Sequence, residues 1–179
     1  MIIVMGLPGA GKTTVLNGLN TDYKIQNYGD LMFEIEKEKY GIKDRDEMRN
    51  LPIEKQKEVQ KEVSKRLSSE TGKFILDTHC SVKTPNGYYP GLPFDFLNGL
   101  KVGVIVLITA DPNEIAERRK EDSSRTRDEQ SAEKIAEHDF MNKAYLAAYS
   151  AFTGAPSVII QNKQGKVEDA VATLQKLLV

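Results

Sequence analysis

The sequence predicts an α/β domain built of βαβ units around a parallel sheet. Five short β-type runs, residues 2–5, 23–27, 74–76, 102–108 and 157–161, alternate with helical patterns. That alternation is what parallel strands joined by crossover helices require. The fourth run is apolar nearly throughout, as a strand covered on both faces must be. A glycine-rich turn follows the first run at once and leads into the first helix.

The helical segments fall at residues 12–18, 30–40, 44–50, 52–69, 93–97, 111–122, 131–153 and 167–178. Pro52 stands where a first helical residue belongs, and Ile53, Val59, Val63 and Leu67 then make an apolar stripe. Asp111, Pro112, Asn113 and Glu114 form a helix-cap pattern in which Glu114 is expected to reach back. The long segment 131–153 carries Phe140, Met141, Tyr145, Leu146 and Tyr149, a stripe for core, interface or both, with core as the default reading. Two stretches break the βα rhythm: a charged helical excursion at 30–69 and the polar break 121–130, "EDSSRTRDEQ". Insertions of this kind in a packed α/β core usually cover or bind a substrate.

With 179 residues, the chain is expected to form one domain, able to bury roughly 70% of its unfolded surface. Its 25 basic and 26 acidic residues nearly balance, so no nucleic-acid or membrane partner is expected. Cys80 is the one cysteine, which excludes an intrachain disulfide and suits a reducing, cytoplasmic location. "MIIVM" has no basic flank and reads as a strand rather than a signal peptide. The longest apolar run, "VGVIVLITA", is too short to span a bilayer.

"GLPGAGKT" from Gly6 to Thr13 fits G-x-x-x-x-G-K-[ST] in full, with a strand before it and a helix after it. These are the marks of a P-loop NTPase. Gly6, Leu7, Pro8, Gly9, Ala10, Gly11, Lys12, Thr13 and Thr14 are the expected ATP-binding residues. The glycines let backbone N–H groups turn inward around phosphate oxygens, and the helix adds its positive dipole end. Lys12 is placed to reach the β- and γ-phosphates, and Thr13 to ligate Mg²⁺. A second metal-side acid belongs at the end of an apolar strand. Asp77 after "FIL" is the better candidate, and Asp111 after "VLITA" is the rival, with a good reading as a helix cap.

"NKQG" at 162–165 lacks the Asp of a guanine-selective loop, so GTPase-type recognition is not expected. Arg118, Arg119, Arg125 and Arg127 lie within ten residues. Phosphoryl transfer is mostly positioning and stabilisation of moving charge, and a kinase without a partner must carry its own arginines. These four, with Lys12, are the expected catalytic set. Cys80 beside His79 suggests a thiol nucleophile, but nothing orients such a pair, and a buried inert thiol is expected.

The chain resembles the archaeal-type adenylate kinases. The resemblance rests on "GLPGAGKTT", "NYGDLMFE", "DRDEMRNL", "DTHCSVKTPNGYYPGLP", "SSRTRDEQ" and "EHDFMNKAY", then "TGA" at Thr153. It implies a five-stranded parallel sheet, a helical AMP-binding part at about 30–69 and a short lid at about 121–130. It also implies ATP + AMP ⇌ 2 ADP with Mg²⁺, and a homotrimer. AMP would meet Asp30, Arg45, Arg49, His79, Lys83, Gly91 and His138. Gly87 and Gly91 would let backbone approach the nucleotide, and Tyr88 or Tyr89 would pack on its base or ribose. The chain departs from bacterial-type relatives, which place an arginine after "GD" and "GFPR" after the acid strand. Here Leu31, Met32 and Phe33 follow Asp30, so Arg45 and Arg49, assisted by His79 or Lys83, are the natural substitutes. Two alternatives remain at this point: a kinase of the same fold with another acceptor, and a P-loop ATPase switch.

Overall fold

The computed structural model describes residues 1–48, 51–121 and 131–178. Five strands form one parallel sheet: β1 (Ile2–Gly6), β2 (Lys24–Asn27), β3 (Phe74–Thr78), β6 (Val104–Thr109) and β7 (Ser157–Gln161), in the order β2-β3-β1-β6-β7. Each expected run is present, shifted by at most two residues at an end.

The sheet is buried on both sides because its central strands are apolar along most of their length, with polar residues only toward the carboxyl ends of β3 and β6. Ile3 and Met5 of β1, Leu76 of β3, and Ile105 and Leu107 of β6 face one layer. Ile2 and Val4, Ile75, and Val106 and Ile108 face the other. This is the two-residue period of a strand made visible. On the second face lie α1 (Lys12–Asn17) and α8 (Val167–Gln175), through Val15, Leu16, Ala170 and Leu174. On the first face lie α2 (Tyr28–Tyr40), α4 (Ile53–Ser68), α5 (Phe94–Leu97) and α7 (Ala132–Thr153). Between them in sequence are α3 (Arg45–Met48) and α6 (Pro112–Glu121).

The helical excursion is a pair of antiparallel helices. Asn27 caps α2 by accepting the Asp30 N–H at 3.1 Å, and left-handed Gly41 ends it. The expected start at Asp30 was therefore two residues late. Val59, Val63 and Leu67, one helical turn apart, put the apolar face of α4 into the core. Arg66 to Glu34 and Tyr40 to Glu58 stitch the rims at 3.1 and 2.8 Å. These are exposed contacts and add little stability. Asp111 does cap α6, accepting the Asn113 N–H at 2.8 Å. Glu114 does not reach back, because its Oε2 accepts instead from Arg118 and from the Gln164 N–H, both at 3.1 Å.

The stretch after Asp77, expected as a loop, is a β-hairpin. β4 (Ser81–Thr84) pairs antiparallel with β5 (Gly87–Pro90), with Val82 opposite Tyr89. The turn "TPNG" holds Gly87 at φ +116°, a conformation that favours glycine. The hairpin's neck is closed by the Gly91 N–H on the Cys80 carbonyl at 2.9 Å. Tyr149, fully buried in α7, secures both sides of that neck. Its hydroxyl donates to Cys80 O at 3.0 Å and accepts from the Leu92 N–H at 3.2 Å. Among the described residues, no helix is long and apolar enough to cross a membrane.

Candidate active site

The carboxyl ends of β1, β2 and β3 converge on one spot. Register places Val4 and Asn27 on either side of Asp77. Lys12, first residue of α1, makes an ion pair with Asp77 Oδ1. Asn27 Nδ2 donates to Asp77 Oδ2 at 2.8 Å. Both charged side chains are 12% exposed, so they face a restricted opening rather than bulk water. Burial pushes the Lys12 ammonium down to about 8 despite the carboxylate beside it. Of the two acids weighed as a metal-side ligand, Asp77 is the one at Lys12, while Asp111 is occupied as a cap.

The loop between β1 and α1 is shaped by its glycines. Gly9 and Gly11 sit at φ +89° and +80°, where a side chain strains the backbone. Ala10 N–H closes a turn on Leu7 O at 3.1 Å. Thr13 and Thr14 are exposed on the first turn of α1. A cavity of ≈ 180 Å³ lies beside the loop, lined by Gly11, Thr14, Arg118, Asn162, Gln164 and Gly165 among others. A larger one, ≈ 570 Å³, lies at the opposite end of the sheet, around Met1, Lys73 and Lys176. It touches no P-loop residue.

The expected arginines divide. Arg118 Nε donates to Gln164 Oε1 at 2.8 Å, and its Nη2 reaches Glu114 and the Asn162 carbonyl at 3.1 Å. Arg119 donates through Nε and Nη2 to Pro8 O at 2.9 and 2.7 Å. Arg125 and Arg127 lie outside the described residues, as does Arg49, and nothing is described of the Arg45 side chain.

On the acceptor side, Asp30 is exposed in the first turn of α2, and His79 is exposed between buried Thr78 and Cys80 just past β3. Lys83 is exposed on the hairpin, 3.8 Å from Glu137 and 5.2 Å from the centre of the Tyr88 ring. Tyr88 is committed to α7: its ring lies 4.9 Å from that of His138, and its hydroxyl donates to Glu137 at 2.8 Å. Tyr89 is 55% exposed. A side chain on Gly91 would collide with the His79 carbonyl, so the hairpin's own closure accounts for a glycine there. Gly87 is the turn glycine.

His138 is buried, with Nε2 3.1 Å from the Ser81 hydroxyl, and burial lowers its pKa. It is a neutral, inward-facing ring rather than a cation offered to a phosphate. Asp139 and Asn142 of "EHDFMN" are buried too. Asp139 accepts from Thr109 at 2.6 Å and Asn142 from Ser81 at 2.6 Å, so the motif bolts α7 to β6 and the hairpin. Cys80 is fully buried, and burial pushes its thiol up to about 12, the inert thiol expected.

Two site residues were not anticipated. Asn27 carries both the α2 cap and the Asp77 contact. Asn162 donates from Nδ2 to Ala10 O at 2.9 Å. A cap-forming Asn at a strand end is a signal for the first. The second had only its place after the fifth β run.

Comparison with known proteins agrees with this geometry. The family model described as "AAA domain" matches residues 5–136. An adenylate kinase of Methanopyrus kandleri is 46% identical over 178 residues, covering 96% of this chain and 93% of that protein. One from Pyrobaculum aerophilum is 46% identical, covering 93% and 86%. One from Methanocaldococcus jannaschii is 41% identical, covering 99% and 97%. Among solved structures, shikimate kinase from Bacteroides thetaiotaomicron superposes with a TM-score of 0.57 at 17% identity, over 99% of this chain and 97% of that one. At that identity the likeness speaks for the P-loop kinase fold. Full-length similarity above 40% and the P-loop set against Asp77 together make this chain a member of the adenylate kinase family.

Proposed function

We propose that the chain catalyses reversible phosphoryl transfer, ATP + AMP ⇌ 2 ADP, with ATP entering as MgATP. The observation that carries this reading is the P-loop with Lys12 paired to Asp77 at the carboxyl end of the sheet. The terminal phosphoryl group leaves the β-phosphate oxygen of ATP and bonds to a phosphate oxygen of AMP, giving two ADP. Since the acceptor is already an ionised oxygen, no general base is needed.

In this mechanism Gly6–Thr14 cradle the phosphates of ATP, and Lys12 exchanges Asp77 for phosphate oxygens as they arrive. The Thr13 hydroxyl and Asp77 carboxylate are hard oxygen donors of the kind Mg²⁺ takes. Asp77 fits that role because Asn27 holds one of its oxygens while the other faces the loop. Mg²⁺ would supply charge neutralisation on the phosphates. Arg118, Arg119, Arg125 and Arg127 spread the negative charge of the moving group.

AMP enters between the helical part at 30–69 and the stretch after Asp77. Asp30, Arg45, Arg49, His79 and Lys83 are its proposed contacts, with His79 and Lys83 exposed on the hairpin side. His138 acts there through Ser81 and Tyr88, as a support, and Gly91 through the hairpin neck. The segment 121–130 is the proposed lid, excluding the water that would otherwise take the phosphoryl group. A homotrimer follows the resemblance, and Phe140 of α7, 70% exposed, is consistent with a covered surface. A cytoplasmic location fits the one reduced, buried cysteine.

The test is product formation from MgATP with AMP, UMP, CMP, GMP or no acceptor, resolved by chromatography. ADP above the no-acceptor control, with AMP strongly preferred, is the expected result. Transfer to another monophosphate overturns the acceptor, and hydrolysis alone overturns the kinase reading.

A further inference from the structure

Asn162 is a buried polar side chain, 5% exposed, that the mechanism above leaves without a role. It is the first residue after β7, and its N–H donates to Thr109 O at 2.7 Å. That bond continues the β6/β7 ladder one step and fixes the residue rigidly. Its side chain then crosses to the P-loop, with Nδ2 on Ala10 O at 2.9 Å. Its own carbonyl accepts from Arg118 Nη2 at 3.1 Å.

A peptide unit is planar and trans, so a carbonyl and the N–H of the next residue point in opposite directions. Holding the Ala10 carbonyl therefore aims the Gly11 N–H away from Asn162. Arg119 does the same two residues earlier, where its two bonds to Pro8 O aim the Gly9 N–H. These two glycines are the residues of the loop with positive φ, and glycine peptides are the freest to rotate. The loop is thus clamped from outside at alternate carbonyls, and a Cβ on Gly11 would collide with Asn162 Nδ2.

We infer that Asn162 is a positioning residue for the donor nucleotide. Through Ala10 it presets the Gly11 N–H for phosphate, and through its carbonyl it holds Arg118 at the edge of the loop. This rests on the kinase reading of the P-loop. The plain alternative is that Asn162 only satisfies a buried carbonyl and supports the fold.

Kinetics separate the two. MgATP is varied at saturating AMP, and AMP at saturating MgATP, for wild type, Asn162→Ala and Asn162→Asp, with thermal melts of each. Asn162→Ala is expected to raise KM for ATP at least about tenfold while KM for AMP stays within about twofold. Asn162→Asp sets a carboxylate against a carbonyl and is expected to be worse at about pH 8. It should recover toward wild type as the pH falls to about 5.5, because burial against the Ala10 carbonyl raises a carboxyl's pKa and a protonated carboxyl can donate where a carboxylate cannot. An unmoved KM for ATP overturns the inference. So does a parallel fall of all constants with no pH-dependent recovery in the Asp variant. If Asn162→Ala does not fold, the pH series of Asn162→Asp, read as a ratio to wild type, decides alone. Absence of transfer in the wild type would overturn the kinase reading, and this inference with it. Normal transfer with an unmoved KM would overturn this inference only.

Discussion

Replacing Asp77 by Asn keeps the shape of the side chain and an oxygen for the Asn27 amide, but removes the charge facing Lys12. The ammonium, only 12% exposed, is then left in a poorly solvated place, and breaking such a pair is normally costly. Here the cost has a ceiling, because the lysine can lose its proton instead. Burial has already brought its pKa from 10.5 to about 8. At about neutral pH the charged form is then favoured by only about 1 kcal/mol. Losing the carboxylate can take no more than that from the fold through Lys12. The sign follows from the same value. Below about 8 Lys12 is charged and uses its partner, and as the pH rises through about 8 the charge and the contribution go together. The ceiling grows to about 3 kcal/mol at about pH 6 and falls to near zero at about pH 9. Urea unfolding of both proteins at these pH values measures it. Turnover should fall at least about a hundredfold at all of them, since the carboxylate proposed for the metal side is gone. A stability gap that is flat with pH, or that widens above about pH 8, refutes the account of the pair.

Lys12→Met and Arg127→Ala should each lower turnover at least about a hundredfold with an unchanged circular dichroism spectrum. Normal turnover would remove that residue from the catalytic set. Gly11→Ala forces a side chain into φ +80° and against Asn162. Denaturant melts should show a loss of about 1–2 kcal/mol, with a raised KM for ATP. In the wild type, kcat/KM for ATP should fall as the pH rises through about 8, where free Lys12 loses its charge, and kcat should hold to higher pH because phosphate restores it. Glu36 is buried, its carboxylate has no hydrogen-bond partner among the described residues, and burial raises its pKa. Glu36→Met should stabilise the fold by about 1–3 kcal/mol near neutral pH. The gain should vanish in acid, below the ordinary value of 4.5, where both folded and unfolded states hold the proton. Equal melting of the two proteins at neutral pH would show that the buried charge is compensated.

What the sequence reveals here is what lies close in the chain. Apolar runs such as "FIL" and "VIVLIT" mark strands by themselves, and the glycines and lysine of the P-loop announce their chemistry within eight residues. Asp77 was found by the same means, as an acid ending an apolar strand. The hairpin is less legible: "PNG" between "VKT" and "YY" is a turn signal, but glycines there equally suit the close approach of a ligand. Partners distant in sequence stayed hidden. Arg118 and Arg119 are adjacent and equally charged, yet one faces the 162–165 loop and the other the Pro8 carbonyl. Only helix rotation against the sheet decides that. Glu114 follows the same rule, as Arg118 one turn along and the Gln164 N–H outcompete its own helix end. His138 looked like a cation near a lid, but α7 turns it inward to Ser81.

The closed neck of the β4/β5 hairpin makes that region an insertion port. Chain leaves the body at Cys80 and returns at Gly91, and these two are joined by a backbone bond beneath which Tyr149 is anchored. The turn at the hairpin's far end, exposed at Asn86 and Gly87, carries none of the bonds that hold the hairpin to α7 through Ser81 and Tyr88. Once a loop's ends are fixed, each doubling of its length costs only about 0.6 kcal/mol. An epitope or a fluorophore-bearing peptide grafted at Asn86 would therefore hang from the enzyme without loosening it.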